Sequence, residues 1–274
     1  MGGVRAIKAL VVAAGSVGGL SGAAYGLLNG QSRRARSIIG TPRDLPLNAD
    51  GLYLPNGAGP FAPTRSDHLS FAMLGDSLAA GLGVESPDQL PGVRLAHGLA
   101  DELDVPVRLM THAVSGSRTT DLEAQVDRAL INPPDLALVI IGGNDVTART
   151  SIGASATLLG RQVARLVETG ATVVVGTCPD LAIIRAIPQP LRTIASRYSL
   201  SLARAQRRVL DQMGVRAVSV AALLAPEFGA RPHDLFSADR FHPNGKGYEY
   251  AAAVLLAPLC TAARSSRVAS WSGT

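Results

Sequence analysis

The chain has 274 residues, of which 47% are apolar, 17% charged and 4% aromatic. This composition excludes a disordered chain, argues against a base-stacking surface and permits a sizeable core, and the length favours one domain with appendages. The net charge of +5 comes entirely from residues 1–40, which leaves the rest balanced at 21 basic and 21 acidic residues, so no nucleic-acid partner is expected.

The first feature in chain order is a run of 20 uncharged residues from Ala9 to Leu28, with basic residues on both sides. A helix of this length rises about 30 Å, enough to cross a hydrocarbon core. Ser21-Gly22-Ala23 is a small-residue triplet of the kind that a signal peptidase cleaves. We therefore expect residues 1–29 to be a signal anchor or a signal peptide, with membrane contact through residues 9–28 and an exported, membrane-anchored or secreted protein. The alternative is a buried N-terminal helix or strand.

Residues 30–66 contain five prolines and several glycines with little apolar periodicity. This stretch is interpreted as a linker, or as an irregular strap laid on the domain that follows. The domain is expected to span residues 67–262, and residues 263–274 would form a C-terminal tail.

Within residues 67–262, short apolar runs alternate with longer amphipathic stretches. The predicted strands are Leu69–Leu74, Val107–Thr111, Leu136–Ile141, Thr172–Gly176 and Val215–Val220. The predicted helices are Gln89–Leu103, Thr120–Ile131, Ala154–Thr169, Pro190–Met213 and Gly245–Leu256. Such alternation predicts an α/β fold in which a parallel sheet carries helices on both faces. Functional residues are then expected just beyond the carboxyl ends of the strands.

The first strand is followed by Gly75-Asp76-Ser77-Leu78. A serine one tight turn beyond a buried strand, at the start of a helix, has an exposed hydroxyl and a free backbone N–H. These are two requirements of a nucleophile in acyl transfer. The alternative is that Ser77 only caps the helix.

Two further loops carry candidate donors to an oxyanion. Gly116, after the second strand, lacks a side chain that would obstruct its N–H, although a turn alone could also require a glycine. Asn144, in Gly142-Gly143-Asn144-Asp145 after the third strand, can aim its amide into the same cleft. Its alternative role is an Asx turn or a helix cap.

A candidate base precedes the last predicted helix, in the segment from Asp239 to Gly245. His242 lies three residues after Asp239, close enough for the carboxylate to orient the imidazole, and Pro243 restricts the backbone beside it. The alternative is a surface histidine beside a surface aspartate. The other histidines lack this combination.

Together these segments resemble the four blocks of the SGNH or GDSL-type hydrolase superfamily, in the family's order across residues 70–250. The resemblance implies a three-layer α/β/α sandwich with a flavodoxin-like, five-stranded parallel sheet. It implies Ser77 as nucleophile, His242 as base and Asp239 as its orienter. It also implies an oxyanion hole formed by the N–H groups of Ser77 and Gly116 and the side chain of Asn144. One departure concerns the second block, where His112 stands near the place of a frequent asparagine.

The resemblance predicts a serine esterase that hydrolyses carboxylic esters through an acyl-enzyme, with no cofactor and no metal. Only 39 residues separate Ser77 from Gly116 and 28 separate Gly116 from Asn144, which leaves little room for a lid. We therefore expect an open, shallow groove for short acyl chains or acetyl groups on a lipid or carbohydrate. The alternatives are an acyltransferase, and an inactive, membrane-tethered binding module.

The two cysteines, Cys178 and Cys260, fit no zinc-binding spacing. They are expected to be buried thiols, and a disulfide between them stays open for an oxidising compartment. The sequence gives no indication of the oligomeric state.

Overall fold

The computed structural model describes residues 23–40, 47–62 and 67–271. In these residues one six-stranded sheet has the order β1-β3-β2-β4-β5-β6. Its strands are β1 (Gly51–Tyr53), β2 (Leu69–Gly75), β3 (Val107–Thr111), β4 (Leu136–Ile140), β5 (Thr172–Gly176) and β6 (Arg216–Val218). Strands β2 to β6 are mutually parallel, and β1 pairs antiparallel with β3 at the edge.

The helices connect these strands and cover the sheet. They are α1 (residues 23–39), α2 (Ser77–Ala80), α3 (Pro91–Leu103), α4 (Leu122–Ala129), α5 (Gly143–Ala148), α6 (Ile152–Val167), α7 (Leu191–Gln212), α8 (Val220–Ala230), α9 (Pro232–Leu235) and α10 (Gly245–Trp271). Short 3-10 turns lie at Pro87–Gln89, Thr119–Asp121 and Leu181–Ile183.

Side chains of β2 show the three layers most directly. Phe71 and Met73 pack in the apolar cluster that also contains residues of α3 and α10. Ala72 and Leu74 pack on the other face, in the cluster formed with α4, α6 and α7. Successive strand residues point to opposite faces, so both faces of the sheet are covered by helices. This confirms the α/β sandwich, and the parallel strands have the order 2-1-3-4-5 of a doubly wound sheet.

The strand prediction was accurate for four strands and too long for β6. Ser219 ends the strand because its hydroxyl accepts the Ala222 N–H at 3.2 Å and caps α8. Helix α8 and strand β1 were not predicted from the sequence. The last helix was predicted to end at Leu256, whereas α10 continues to Trp271, so residues 263–271 are helical.

Residues 30–39 differ from the expected linker, because they are helical and packed on the domain. The Gln31 side chain donates to the Gln189 carbonyl and accepts the Leu191 N–H at 3.0 Å. Ala35 is buried in the cluster formed by α7, α8 and the Leu181–Ile183 turn. These long-range contacts stabilise a helix that its sequence alone does not reveal.

The second half of the Pro/Gly-rich stretch lies along the edge of the sheet. Leu52 and Phe61 exchange two backbone hydrogen bonds of 2.9 Å, and Tyr53 is fully buried. Residues 47–62 therefore cover the outer side of β3, which would otherwise expose an unpaired strand edge.

Most of the uncharged N-terminal run lies outside the described residues, and only its last six residues belong to α1. Among the helices of the described ranges, none is both long and apolar enough to span a bilayer. Cys178 and Cys260 are both buried and unpaired, and they lie in different apolar clusters.

Candidate active site

The turn after β2 is built around Gly75. Its φ is +137°, and a Cβ atom there would lie 1.9 Å from the Ile140 carbonyl oxygen of the neighbouring strand. Only glycine fits this close approach. The next residue, Asp76, donates its N–H to that same carbonyl at 3.1 Å, and its carboxylate accepts the Leu78 N–H at 3.0 Å. The turn thereby directs the chain into α2.

Ser77 is the first residue of α2, and Asp76 is the residue that caps this helix. The alternative role of Ser77 as the N-cap is therefore wrong. The backbone N–H groups in the first turn of a helix have no intrahelical acceptor, so the Ser77 N–H is available to a ligand. The side chain of Ser77 faces the loop that precedes α10.

The structure brings Ser77, His242 and Asp239 together. The His242 Nε2 atom lies 2.9 Å from the Ser77 Oγ atom, and the His242 Nδ1 atom lies 2.6 Å from Asp239 Oδ2. With an ionised Asp239, Nδ1 carries the proton and donates it, which leaves Nε2 as the acceptor of the serine proton. His242 is only 6% exposed, so the alternative of a surface histidine is wrong.

The Asp239 carboxylate is held in its charged form. Burial raises its pKa, but hydrogen bonds from the His242 side chain, from the backbone N–H groups of His242 and Phe241, and from the Ser237 hydroxyl outweigh burial and lower the pKa to about 2. Asp239 therefore remains an anion that can stabilise a positively charged imidazole throughout the neutral range.

The loop that carries His242 is closed by its own hydrogen bonds. Ser237 N–H donates to the His242 carbonyl at 2.8 Å, and Asn244 N–H donates to the Leu235 carbonyl at 2.9 Å. The Tyr248 hydroxyl, on the first turn of α10, donates to the Leu82 carbonyl at 2.9 Å just beyond α2. These contacts fix the imidazole relative to the serine turn.

Gly116 lies in the turn after β3, with a φ of +83° and no atom within 4 Å of the position of a Cβ. A side chain at this position would therefore project into open space. Asn144, on α5, donates through Nδ2 to the carbonyl of Ser117 at 3.0 Å. One of the two Asn144 amide hydrogens thus holds the Gly116 turn, and the other is available to a bound oxygen.

Sequence reasoning missed two buried polar residues behind this turn. Gln125 hydrogen-bonds both polar backbone groups of Gly75 and the Ser117 hydroxyl. Asp145 accepts the N–H and the hydroxyl of Thr119 at 3.0 and 3.1 Å. The available signal for Gln125 was its position on the apolar face of α4, where a polar residue needs a buried partner.

Asp76 is a further buried acid beside the serine. Burial raises its pKa to about 6, and the nearby Asp145 adds to the rise. Hydrogen bonds from the backbone N–H groups of Leu78 and Gly142 and the charge of His242 act in the opposite direction. The sequence predicts no role for Asp76 beyond its place in the motif.

A concave, mainly apolar pocket opens beside Ser77 and His242. It contains about 660 Å³ of space, part of it open to solvent. Its far walls come from the turn after β5 and from α8, and they include Leu181, Ile183, Ile184, Leu224, Ala225 and Phe228. Helix α8, which was not predicted from the sequence, thus forms one wall of this pocket.

The donor groups suit proton transfer and oxyanion binding. In the described ranges, no group of three or more His, Cys, Asp or Glu side chains is arranged to hold a metal ion.

His112, the residue that follows β3, is half-buried. Burial and the positive charge of Arg128 both lower the pKa of its imidazole.

Comparisons with known proteins agree with these features. Residues 73–250 match the GDSL-like Lipase/Acylhydrolase family. A GDSL-like esterase of Mycobacterium tuberculosis is 43% identical over 241 residues, which cover 86% of this chain and 76% of the relative.

Two solved structures share the fold. A lipase/acylhydrolase from Enterococcus faecalis aligns with a TM-score of 0.57 and 18% identity, over 70% of this chain and 96% of that one. Axe2, an acetylxylan esterase from Geobacillus stearothermophilus, aligns with a TM-score of 0.54 and 18% identity, over 70% of this chain and 94% of that one.

Proposed function

The chain belongs to the GDSL-like lipase/acylhydrolase family and is a carboxylic ester hydrolase, and we propose that it acts as a serine esterase through Ser77, His242 and Asp239. The observation that carries this proposal is the continuous hydrogen-bonded series from Ser77 Oγ through the His242 ring to Asp239. A nucleophile, a base and an orienting carboxylate in this order are the parts that acyl transfer requires.

In the first step, Ser77 Oγ attacks the ester carbonyl carbon while His242 Nε2 takes the hydroxyl proton. Asp239 stabilises the imidazolium that results. The tetrahedral intermediate then collapses, the bond to the alcohol oxygen breaks, and His242 returns its proton to that oxygen. The products of this step are the free alcohol and an acyl group on Ser77.

In the second step, water attacks the acyl carbon while His242 takes one of its protons. Collapse of the second tetrahedral intermediate returns that proton to Ser77 Oγ and releases the carboxylic acid. No other reactant is needed for this sequence. Product analysis with an added alcohol distinguishes it from acyl transfer to a sugar or lipid hydroxyl, because a transferase would form a new ester.

The proposed oxyanion hole consists of the Ser77 N–H, the Gly116 N–H and the Asn144 side-chain amide. The N–H of Ser77 at the start of α2, which has no intrahelical acceptor, and the second amide hydrogen of Asn144 support this assignment. Loss of one such donor lowers kcat by about 10²–10³ in enzymes of this type.

The proposed substrates are esters with short acyl chains or acetyl groups, attached to a lipid or carbohydrate alcohol. The apolar walls of the pocket support an apolar acyl group, since burying each methylene contributes about 0.8 kcal/mol.

We further propose that residues 9–28 direct the protein to the cell envelope, as a retained anchor or a cleaved signal. The length of the uncharged run and the flanking basic residues support this proposal. Cell fractionation with N-terminal sequencing of the expressed full chain tests it. A cytoplasmic product with its original N-terminus would contradict it.

A chromogenic acetate or butyrate ester tests the esterase assignment. The wild-type protein should hydrolyse it, and Ser77→Ala should lose several orders of magnitude in kcat. Equal rates for the two proteins would refute the assignment.

A further inference from the structure

Gln125 lies behind the turn that carries Gly116, and only 1% of its surface is exposed. It shares the inner face of α4 with the buried Leu122, Val126 and Ala129, so it occupies a core position. A buried amide lowers stability unless it is hydrogen-bonded. Its partners all belong to the two loops that carry the Ser77 and Gly116 N–H groups.

Three hydrogen bonds use this amide. The Oε1 atom accepts the Gly75 N–H at 2.7 Å, and Nε2 donates to the Gly75 carbonyl at 2.8 Å and to the Ser117 hydroxyl at 3.0 Å. Both amide hydrogens are therefore used. Gly75 precedes Ser77 by two residues and Ser117 follows Gly116, so one side chain joins the two donor loops.

We propose that Gln125 is a positioning residue of the oxyanion hole, whose amide fixes the Gly116 N–H relative to the Ser77 N–H. The proposal rests on the proposed esterase chemistry of Ser77. An oxyanion hole stabilises the transition state because its donors are already in place when charge develops. A displacement of about 1 Å in such a site lowers the rate by about 100-fold.

The same contacts explain how this turn is held without the asparagine that the family often has. His112 stands near that place, and its buried Nε2 atom has no hydrogen-bond partner among the described residues. The turn is held from two other helices. Gln125 of α4 binds the Ser117 hydroxyl, and Asn144 of α5 binds the Ser117 carbonyl at 3.0 Å.

The first test is Gln125→Met, which nearly keeps the side-chain volume and removes all three hydrogen bonds. On a butyrate ester we expect kcat to fall about 10- to 100-fold, with KM changed less than about threefold. Affinity for a boronic acid that mimics the tetrahedral intermediate should fall by the same factor as kcat/KM. Rates are expressed per active site, titrated to completion with a fluorophosphonate, so misfolded protein does not contribute.

Gln162→Met is the matched control. Gln162 is also a buried glutamine on a helix, α6, and its Oε1 atom accepts a hydrogen bond from Arg165 at 2.9 Å. Among the hydrogen bonds of the described residues, none joins its side chain to the loops of Ser77, Gly116 or Asn144. We expect a fall in kcat below about threefold. Equal falls in kcat and analogue affinity for both variants would overturn the proposal.

Ser117→Ala decides the question if Gln125→Met does not fold. It removes one hydroxyl and leaves both bonds between Gln125 and Gly75. We expect a fall in kcat of about 3- to 10-fold with a matching loss of analogue affinity. Unchanged values would overturn the proposal. A wild-type protein that does not react with the fluorophosphonate would instead refute the proposed esterase function, so the two failures are distinguishable.

Discussion

The Nε2 atom of His242 lies 2.9 Å from the Oγ atom of Ser77, although 165 residues separate the two in the chain. The contact joins the turn after the central strand β2 to the loop before α10. The fold forms it because both segments reach the same edge of the sheet, where the carboxyl ends of the parallel strands meet.

Replacing Asp239 with asparagine should make His242 a weaker base while leaving the imidazole ring in place. Asn lacks the charge that stabilises the imidazolium and can select the wrong histidine tautomer, so we expect kcat to fall by about 10²–10⁴. Hydrolysis of a butyrate ester at pH 7–8 measures this change. A variant with near wild-type kcat would show that Asp239 does not orient His242.

Gly75→Ala should prevent the serine turn from forming. The added Cβ would meet the Ile140 carbonyl at 1.9 Å, and we expect a loss of about 3 kcal/mol or more in the free energy of unfolding. Gly116→Ala is the control, because its φ is also positive but no atom lies within 4 Å. Urea denaturation compares the two. A similar loss of stability in both variants would contradict the close approach of β2 and β4.

Asp76→Asn should change how stability depends on pH. The pKa of Asp76 is raised from 3.8 to about 6, so between these values the folded state keeps a proton that the unfolded state releases. Wild-type stability should therefore fall as pH rises through this window. Asn also caps helices well and does not titrate, so the variant should fold without this pH dependence. The stability of the variant relative to wild type should therefore increase by on the order of 2 kcal/mol as the pH rises from 4 to 6.5.

Urea denaturation at several pH values measures the Asp76 effect. The comparison requires both proteins to unfold in one cooperative transition. Parallel stability curves for wild type and Asp76→Asn across pH 4 to 6.5 would contradict the raised pKa.

Ala225→Phe should narrow the pocket. Ala225 is a partly exposed lining residue on α8, so a larger side chain there fills the cavity without removing core atoms. We expect the ratio of kcat/KM for hexanoate to that for acetate to fall about tenfold. Ala222→Phe, on the exposed side of α8, should keep the wild-type ratio. An unchanged ratio for Ala225→Phe would show that acyl chains do not enter this pocket.

The parallel sheet and its functional edge could be predicted from local patterns. Buried strands such as Leu136–Ile140 are apolar at every position, and the short polar motifs that follow the strands identified Ser77, Gly116 and Asn144. Parallel strands with helical crossovers place their carboxyl ends at one edge, so sequence position alone predicted that these loops meet.

Other features depend on contacts that local patterns do not encode. Gln125 binds Gly75 across 50 residues, and α1 is held by Gln31 across about 160 residues. The apolar stretch of α8 lacks amphipathic periodicity, because the helix packs against the core on one side and lines the pocket on the other. The predicted last strand, Val215–Val220, includes the first residue of α8, and neither this helix nor the pocket wall that it forms was predicted from the sequence.

Covalent labelling of Ser77 tests the central claim most directly. Intact-mass and peptide analysis after treatment with a fluorophosphonate should find one adduct in the wild-type protein, located on Ser77. His242→Gln should react at least about 100-fold more slowly, because the serine loses its base. Absence of labelling, a label on another residue, or an equal rate in His242→Gln would contradict the account.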